Sequence, residues 1–393
     1  MAAQVREQTV NFQGVPVPRA AVNPELFARL TRRTTIKQGS FAPFQGLGQS
    51  DILTMRQVGI LSHLMLRITG TVTVTLGGGT CATTHLWPYG IIKKARFQAN
   101  GVANLQNISG WGAKVLDQTK RGELNDRGIT RGIGGAHPGT QVNQGSLSLA
   151  SENWGLGSGT TAVAGGTYNV DLMIPLHIAA DQLTLAGSVF AQTAATDLSL
   201  TLDYASSSDL FTLTGAATAV CALNVTIEGT VYSIPQGPNG IVLPDLSAFH
   251  QVTETIDRKL GNGENEIRFP GTSVGRQLLR FLFRTINNGA PLAVNATNYG
   301  TIGWRYGGND TPEEFSDGLF LRQRLERLYG TDIGAQMGYT GVDFASEWAF
   351  RDAIDEGAAS ELRAVVTINN GVALTNPSLE LIQEVMFAGA VGA

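Results

Sequence analysis

The feature that most constrains this chain is a strict alternation of apolar and polar residues. Leu64, Leu66, Ile68, Val72, Val74 and Leu76 hold even positions, with Met65, Arg67, Thr69, Thr71, Thr73 and Thr75 between or beside them. Successive side chains of a strand point to opposite faces, so a period of two predicts a strand with one face buried. The pattern returns at Tyr168, Val170, Leu172, Ile174 and Leu176, and at Leu198, Leu200, Leu202 and Tyr204. It returns again at Cys221, Leu223, Val225, Ile227 and Val231. Stretches rich in glycine, serine, threonine and alanine, such as 155–166, separate these runs. The fold class this predicts is all-β, built of antiparallel sheets with one buried face.

The strands fall into two groups. Residues 234–246 carry three prolines and a Pro-Asn-Gly turn, which rules out a central strand or a helix and predicts a linker. Beyond it, the β pattern resumes over 249–258, 277–286, 361–369 and 379–387. Four segments follow: an arm (1–50), a first β domain (51–233), the linker (234–246) and a second β domain (247–393). One helix interrupts each β domain. The first is expected over 109–121, capped by Ser109, with Trp111, Val115 and Leu116 facing inward. The second is expected over 311–329, because Thr311, Pro312 and Glu314 match a capping box and Gly330 ends the run.

Composition bears on what such a chain does. Charged residues make up only 15% of it, against about 25% in ordinary globular chains. A surface with so little charge predicts extensive burial against neighbouring subunits. A net charge of -4 disfavours a basic nucleic-acid-binding protein. Two cysteines, Cys81 and Cys221, cannot make a disulfide framework. Residues 1–12 carry no apolar signal-peptide core, which predicts intracellular synthesis.

Sites of chemistry are not expected. Gly271, Ser273 and Gly275 match a nucleophile-elbow spacing. A strand-like segment follows them where a helix is required, and the last histidine, His250, lies upstream. Ser273 is therefore expected to be structural. His63, His85, His137, His177 and His250 do not pair at metal-ligand spacing, and His177 falls on the polar face of its strand. Asp352, Asp355 and Glu356 read as a solvated face or turn. Trp87, Tyr89, Trp111 and Trp154 are expected to pack in cores or interfaces. The chain is expected to be no enzyme, with no catalytic residue, no metal and no cofactor.

The N-terminal arm differs from the rest. Residues 1–37 hold Arg6, Arg19, Arg29, Arg32, Arg33 and Lys37 against Glu7 and Glu25, a balance of 6 - 2 = +4. Asn23, Pro24 and Glu25 signal a helix start. Leu26, Phe27 and Leu30 then form an apolar stripe flanked by Arg29, Arg32 and Arg33. The stripe suits either a packing arm with a dipole-matched helix end or amphipathic contact with an anionic surface such as lipid.

Two β domains, each with an inserted helix, joined by a proline-rich linker and preceded by a basic arm, resemble a known family. It is that of the double jelly-roll major capsid proteins of tailless, membrane-containing icosahedral bacteriophages, the tectivirus type. Local motifs carry the resemblance. Val58, Gly59, Ile60 and Leu61 lead into the long alternating strand, and Ser109, Gly110 and Trp111 open the first helix. Ile174, Pro175 and Leu176 precede Asp181, Gln182, Leu183, Thr184, Leu185, Ala186 and Gly187. Val231 and Tyr232 run into Pro238, Asn239, Gly240 and on to Pro244, Asp245 and Leu246. The resemblance implies two eight-stranded jelly rolls side by side, each with an inserted helix, plus the N-terminal helical arm. It also implies a homotrimer of pseudo-hexagonal outline, and trimers tiled into an icosahedral virion capsid around a membrane and a double-stranded DNA genome. The implied partners are further copies of the chain, vertex and minor capsid proteins, and the inner membrane through the arm, with no sequence-specific nucleic acid. Synthesis in the host cytoplasm is part of that picture. The competing reading is a carbohydrate-binding or fibre-type β-sandwich protein of a phage or cell surface.

Overall fold

A computed structural model describes residues 7–8, 11–12, 15–16, 20–38, 44–99, 102–121, 128–131, 161–181, 184–192, 197–237, 240–257, 260–269, 275–306, 310–330, 332–334, 338–345, 353–356 and 362–388. The alternating runs become strands, and two sets of eight account for most of the β structure. The first set is β2 (Arg33–Lys37), β3 (Ser50–Thr54), β4 (Ile60–Thr75), β5 (Ile92–Ala99), β6 (Val102–Ile108), β7 (Gly166–His177), β8 (Leu198–Tyr204) and β9 (Thr218–Tyr232). A short strand before it, β1 (Ala20–Val22), belongs to the arm, and another after it, β10 (Gly240–Leu243), to the linker. The second set is β11 (Ala248–Asp257), β12 (Gly263–Arg268), β13 (Arg276–Asn287), β14 (Tyr299–Tyr306), β15 (Asp310–Phe315), β16 (Thr340–Asp343), β17 (Leu362–Ile368) and β18 (Ser378–Ala388).

Both sets pair in the same order. Counting strands within a set, the first, eighth, third and sixth make one sheet, and the second, seventh, fourth and fifth make the other. In the first set these are β2-β9-β4-β7 and β3-β8-β5-β6; in the second, β11-β18-β13-β16 and β12-β17-β14-β15. Every pairing within them is antiparallel. Each set is a jelly roll, two sheets closing on one core. Leu64, Leu66, Ile68 and Val72 on β4 are fully buried, as are Leu200 and Leu202 on β8 and Phe281 and Phe283 on β13.

A helix joins the fifth and sixth strands of each roll: α2 (Gly110–Arg121) in the first and α3 (Gly318–Tyr329) in the second. Ser109 caps α2 as expected, its Oγ accepting from the Gly112 N–H at 3.0 Å. The second helix starts later than its sequence signal. Residues 310–315 form β15, an edge strand, and the cap is Asp317, whose Oδ1 accepts from the Phe320 N–H at 2.8 Å. An edge strand tolerates Pro312 because one of its sides needs no ladder donor.

Two further departures concern the arm and linker. Residues 33–37, read with the arm, pair with β9 and are the first strand of the first roll. The linker contains β10, which pairs in parallel with β1, so arm and linker share a small sheet. Its prolines leave room for such short strands, although they exclude a long one. Ser273, His137, Trp154 and Asp352 lie outside the described residues.

Candidate functional site

The two rolls meet along β6 and β11, which pair in parallel at Gln106↔Val252 and Asn107↔Thr253. This fuses one sheet of each roll into a continuous ten-stranded sheet. The face that lines the core of the first roll continues as the outer face of the second. Helix α2 covers the middle of that outer face through Trp111, Gly112, Thr119 and Lys120. The even-numbered side chains there include Arg280 and Arg284 on β13, Glu380 and Glu384 on β18, and His250 and Glu254 on β11. All six are less than a tenth exposed.

The register pairs them. Arg280 stands opposite Glu384 and Arg284 opposite Glu380. Arg280 Nε lies 2.6 Å from Glu384 Oε2, and its Nη1 lies 3.2 Å from Asp343 Oδ2. The other Glu384 oxygen takes Lys120 Nζ at 2.8 Å and faces His250 Nε2 at 2.7 Å. Arg280 also donates to Thr119 Oγ1 at 2.7 Å, and the Tyr329 hydroxyl donates to Asp343 at 2.8 Å. Arg284 bonds Glu380 and stacks its guanidinium over Tyr339 and Trp111. Further along the seam, Glu254 accepts from both the N–H and the hydroxyl of Ser109, at the start of α2. Side chains from α2, α3 and the second roll thus share one buried ionic network.

Burial alone would raise the Glu384 carboxyl. The charges of Arg280 and Lys120, with the His250 contact, outweigh burial and hold it well below the usual carboxylate range. For Glu254, burial and then the nearby Glu380 charge push the carboxyl up, outweighing the Lys94 charge and the two Ser109 hydrogen bonds. For His250 burial dominates and lowers the imidazole, although Glu384 acts in the opposite sense. Both its ring nitrogens face acceptors, Glu384 on one side and the Ile178 carbonyl at 3.0 Å on the other. A neutral ring can donate to only one of them.

His177, on the polar face of its strand, finds a hydrogen-bond partner, while Glu356 is more buried than its sequence context implied. His177 is buried, with Nε2 2.9 Å from Asp117 Oδ1 on α2. Glu356, expected on a solvated face or turn, stands in a turn but is fully buried and takes Arg276 Nε at 2.9 Å and Gln383 Nε2 at 2.7 Å. Trp87, Tyr89 and Trp111 lie in the core. Burial raises both thiols, Cys221 to about 12, which leaves little thiolate for chemistry. Among the described residues no group of three or more His, Cys, Asp or Glu side chains is placed to hold a metal.

The arm is docked rather than free. Asn23 caps α1 (Pro24–Leu30), its Oδ1 accepting from the Leu26 N–H at 2.9 Å. Phe27 is buried in a cluster with Ile60, Leu185, Phe190, Val242 and Leu243, and Leu26 packs against it. Of the expected stripe only Leu30 stays open, at 45% exposure. Arg29, Arg32 and Arg33 are exposed, and Arg29 pairs with Glu25 at 2.7 Å. The Thr31 hydroxyl donates to the Ser233 carbonyl at 2.7 Å, which ties the end of α1 to the first roll.

The ionic seam went unread in the sequence, yet it left a signal there. Arg280 and Arg284 lie four residues apart on one strand, and Glu380 and Glu384 do the same on another. Four residues along a strand return to the same face, so two such runs of opposite sign mark an antiparallel ladder.

No family model matches the chain, and no curated protein matches it in sequence. Solved structures do match. The STIV MCP is 12% identical over 91% of this chain and 97% of its own, with a TM-score of 0.63. A chain in the atomic structure of Sulfolobus Turreted Icosahedral Virus is 14% identical over 91% of each chain, with a TM-score of 0.62. The Faustovirus major capsid protein is 8% identical over 98% of this chain and 92% of its own, with a TM-score of 0.54. The protein described here has the double jelly-roll fold of these viral proteins, matched through nearly its whole length.

Proposed function

We propose that this chain is the major capsid protein of a tailless icosahedral virus with an internal membrane, and that it acts by assembly rather than catalysis. The observation that carries the reading is the repeated strand order of two rolls fused through one sheet. Three such chains would supply six similar corners and close into a pseudo-hexagonal capsomer. The Faustovirus major capsid protein, matched in fold over 92% of its length, supports it. The low charge supports it too, since only 15% of residues are charged and an assembled shell hides much of each subunit. Double-stranded DNA inside the membrane, vertex and minor capsid proteins as partners, and synthesis in the host cytoplasm complete the proposal.

Within it, the arm sits on the inner side of the shell. Leu26 and Phe27 anchor α1 to the body, while Arg29, Arg32, Arg33 and Leu30 face the membrane. The mass of the purified chain in solution tests the assembly reading. Light scattering should give a value near three times 41.6 kDa. A stable monomer at micromolar concentration would contradict the capsomer.

A further inference from the structure

The junction inside the chain has a counterpart that is exposed among the described residues. The helices α2 and α3 are both twelve residues long and occupy the same connection in their rolls. Counting from their first residues, Gly110 and Gly318, each position of α2 matches the position of α3 that lies 208 further along. The residues with which α2 touches the second roll are Trp111 (against Arg284), Gly112 (against Ile382), Thr119 (against Arg280) and Lys120 (against Glu384). Their matches in α3 are Leu319, Phe320, Arg327 and Leu328. Leu319 is 40% exposed, Phe320 57% and Leu328 37%, and Arg327 is exposed as well. The face that α2 uses to cover a neighbouring roll is thus, on α3, an apolar and basic surface open to solvent.

The receiving sheet is also duplicated. In the second roll α2 covers the outer face of β11-β18-β13-β16. The matching sheet of the first roll is β2-β9-β4-β7, whose outer face is open, with Val220 62% and Met173 37% exposed. The first strands begin opposite the last ones at Ala248↔Ala388 and Arg33↔Tyr232. Four residues back from those ends stand Glu384 and Glu228 (388 - 384 = 4; 232 - 228 = 4). Glu228 is exposed and faces Met65 across the ladder, where Glu384 faces Arg280. The edges match too. The fused pair is β6 with β11, and the corresponding strands, β15 and β2, each end their sheet with no further strand beside them among the described residues.

We propose that Leu319, Phe320, Arg327 and Leu328 on α3 of one copy dock on the outer face of β2-β9-β4-β7 of a second copy, with Arg327 over Met65, within reach of its cross-strand neighbour Glu228, and β15 beside β2. This rests on the trimer reading and gives it a surface. The contact is heterologous, because a helix meets a sheet, and three repeats of it close a ring. The first sheet carries Met65, Thr69 and Asn224 where the second carries Arg280, Arg284 and Glu380. The contact between chains therefore lacks most of the ionic ladder that locks the contact within the chain, and the charge complementarity left to it is Arg327 with Glu228.

Charge reversal on the full chain tests this by sedimentation over a concentration series. Arg327→Glu and Glu228→Arg, each alone, should weaken the trimer by roughly tenfold or more, and combining the two should restore much of it. Both side chains are exposed in the single chain, so neither change threatens the fold, and circular dichroism would confirm that. Phe320→Glu with Leu328→Glu should release monomers with an unchanged β spectrum. A wild-type trimer indifferent to all of these variants would overturn the surface and leave the trimer standing. A wild-type chain that stays monomeric would overturn both.

Discussion

Glu384 is the residue on which the seam turns. It holds Arg280, Lys120 and His250 together where water cannot reach them, and each of those comes from a different element. Replacing buried ion pairs with apolar groups is often tolerated, but removing one partner strands the others. Glu384→Gln should therefore cost about 3–5 kcal/mol in urea unfolding. His250 adds a pH dependence. Its folded pKa lies below the ordinary 6.5, so the unfolded chain takes up the proton first as pH falls. Its contribution is intact above about 6.5 and is lost progressively as pH drops below that value. Glu254, raised in the fold, runs the other way: its contribution is present below the ordinary 4.5 and is lost as pH rises through the folded value. His250→Gln should flatten the acid limb of the stability curve between neutrality and pH 5; an unchanged limb would assign it to other groups. These charges were visible as letters but went unread, and only Glu356 was assigned to a solvated face or turn. A strand's polar face normally meets water, and nothing local in the sequence tells that α2 will lie across it.

At the scale of elements, the strands were the most legible part of the chain. Burial of every second residue is imposed by the strand itself, so β4, β7, β8 and β9 could be placed from periodicity alone. The start of α3 was not legible in the same way. Thr311, Pro312 and Glu314 suit a helix cap, yet they also suit an edge strand, and pairing with β14 decided the matter. Asp317→Ala should cost about 1 kcal/mol in thermal unfolding, while Thr311→Ala should cost much less. The reverse order would restore the earlier helix start. In the arm, the sequence supplied α1 and its cap but not its dock, because Phe27 packs against residues far along the chain such as Val242 and Leu243. The remaining exposed arginines give a prediction of their own. Changing Arg29, Arg32 and Arg33 together to Ser should leave trimers intact and weaken binding of assembled shells to anionic vesicles. Each basic residue near such a surface contributes about 1 kcal/mol, and many copies multiply a weak hold. Unchanged vesicle binding with failed assembly of trimers into shells would make the arm a clamp between subunits instead.

For the whole molecule, the duplication matters more than either roll. One chain presents two equivalent helices and two equivalent sheets, uses one of each to join its own rolls, and leaves the other helix and sheet open. On the proposed trimer reading, such a monomer is an incomplete ring whose surplus helix and sheet meet those of another copy. Periodicity and the linker prolines reached two β halves, and the jelly-roll form of each came only with the family resemblance. Neither reached the seam, which depends on a parallel pairing between β6 and β11, strands separated by most of the first roll and the linker. The central claim is that this chain is a capsomer-forming shell protein. Electron cryomicroscopy of the purified chain tests it most directly. Three-fold particles with six roll-sized densities around a pseudo-hexagonal rim are the predicted result. Isolated two-lobed particles at micromolar concentration, with no three-fold class, would contradict it.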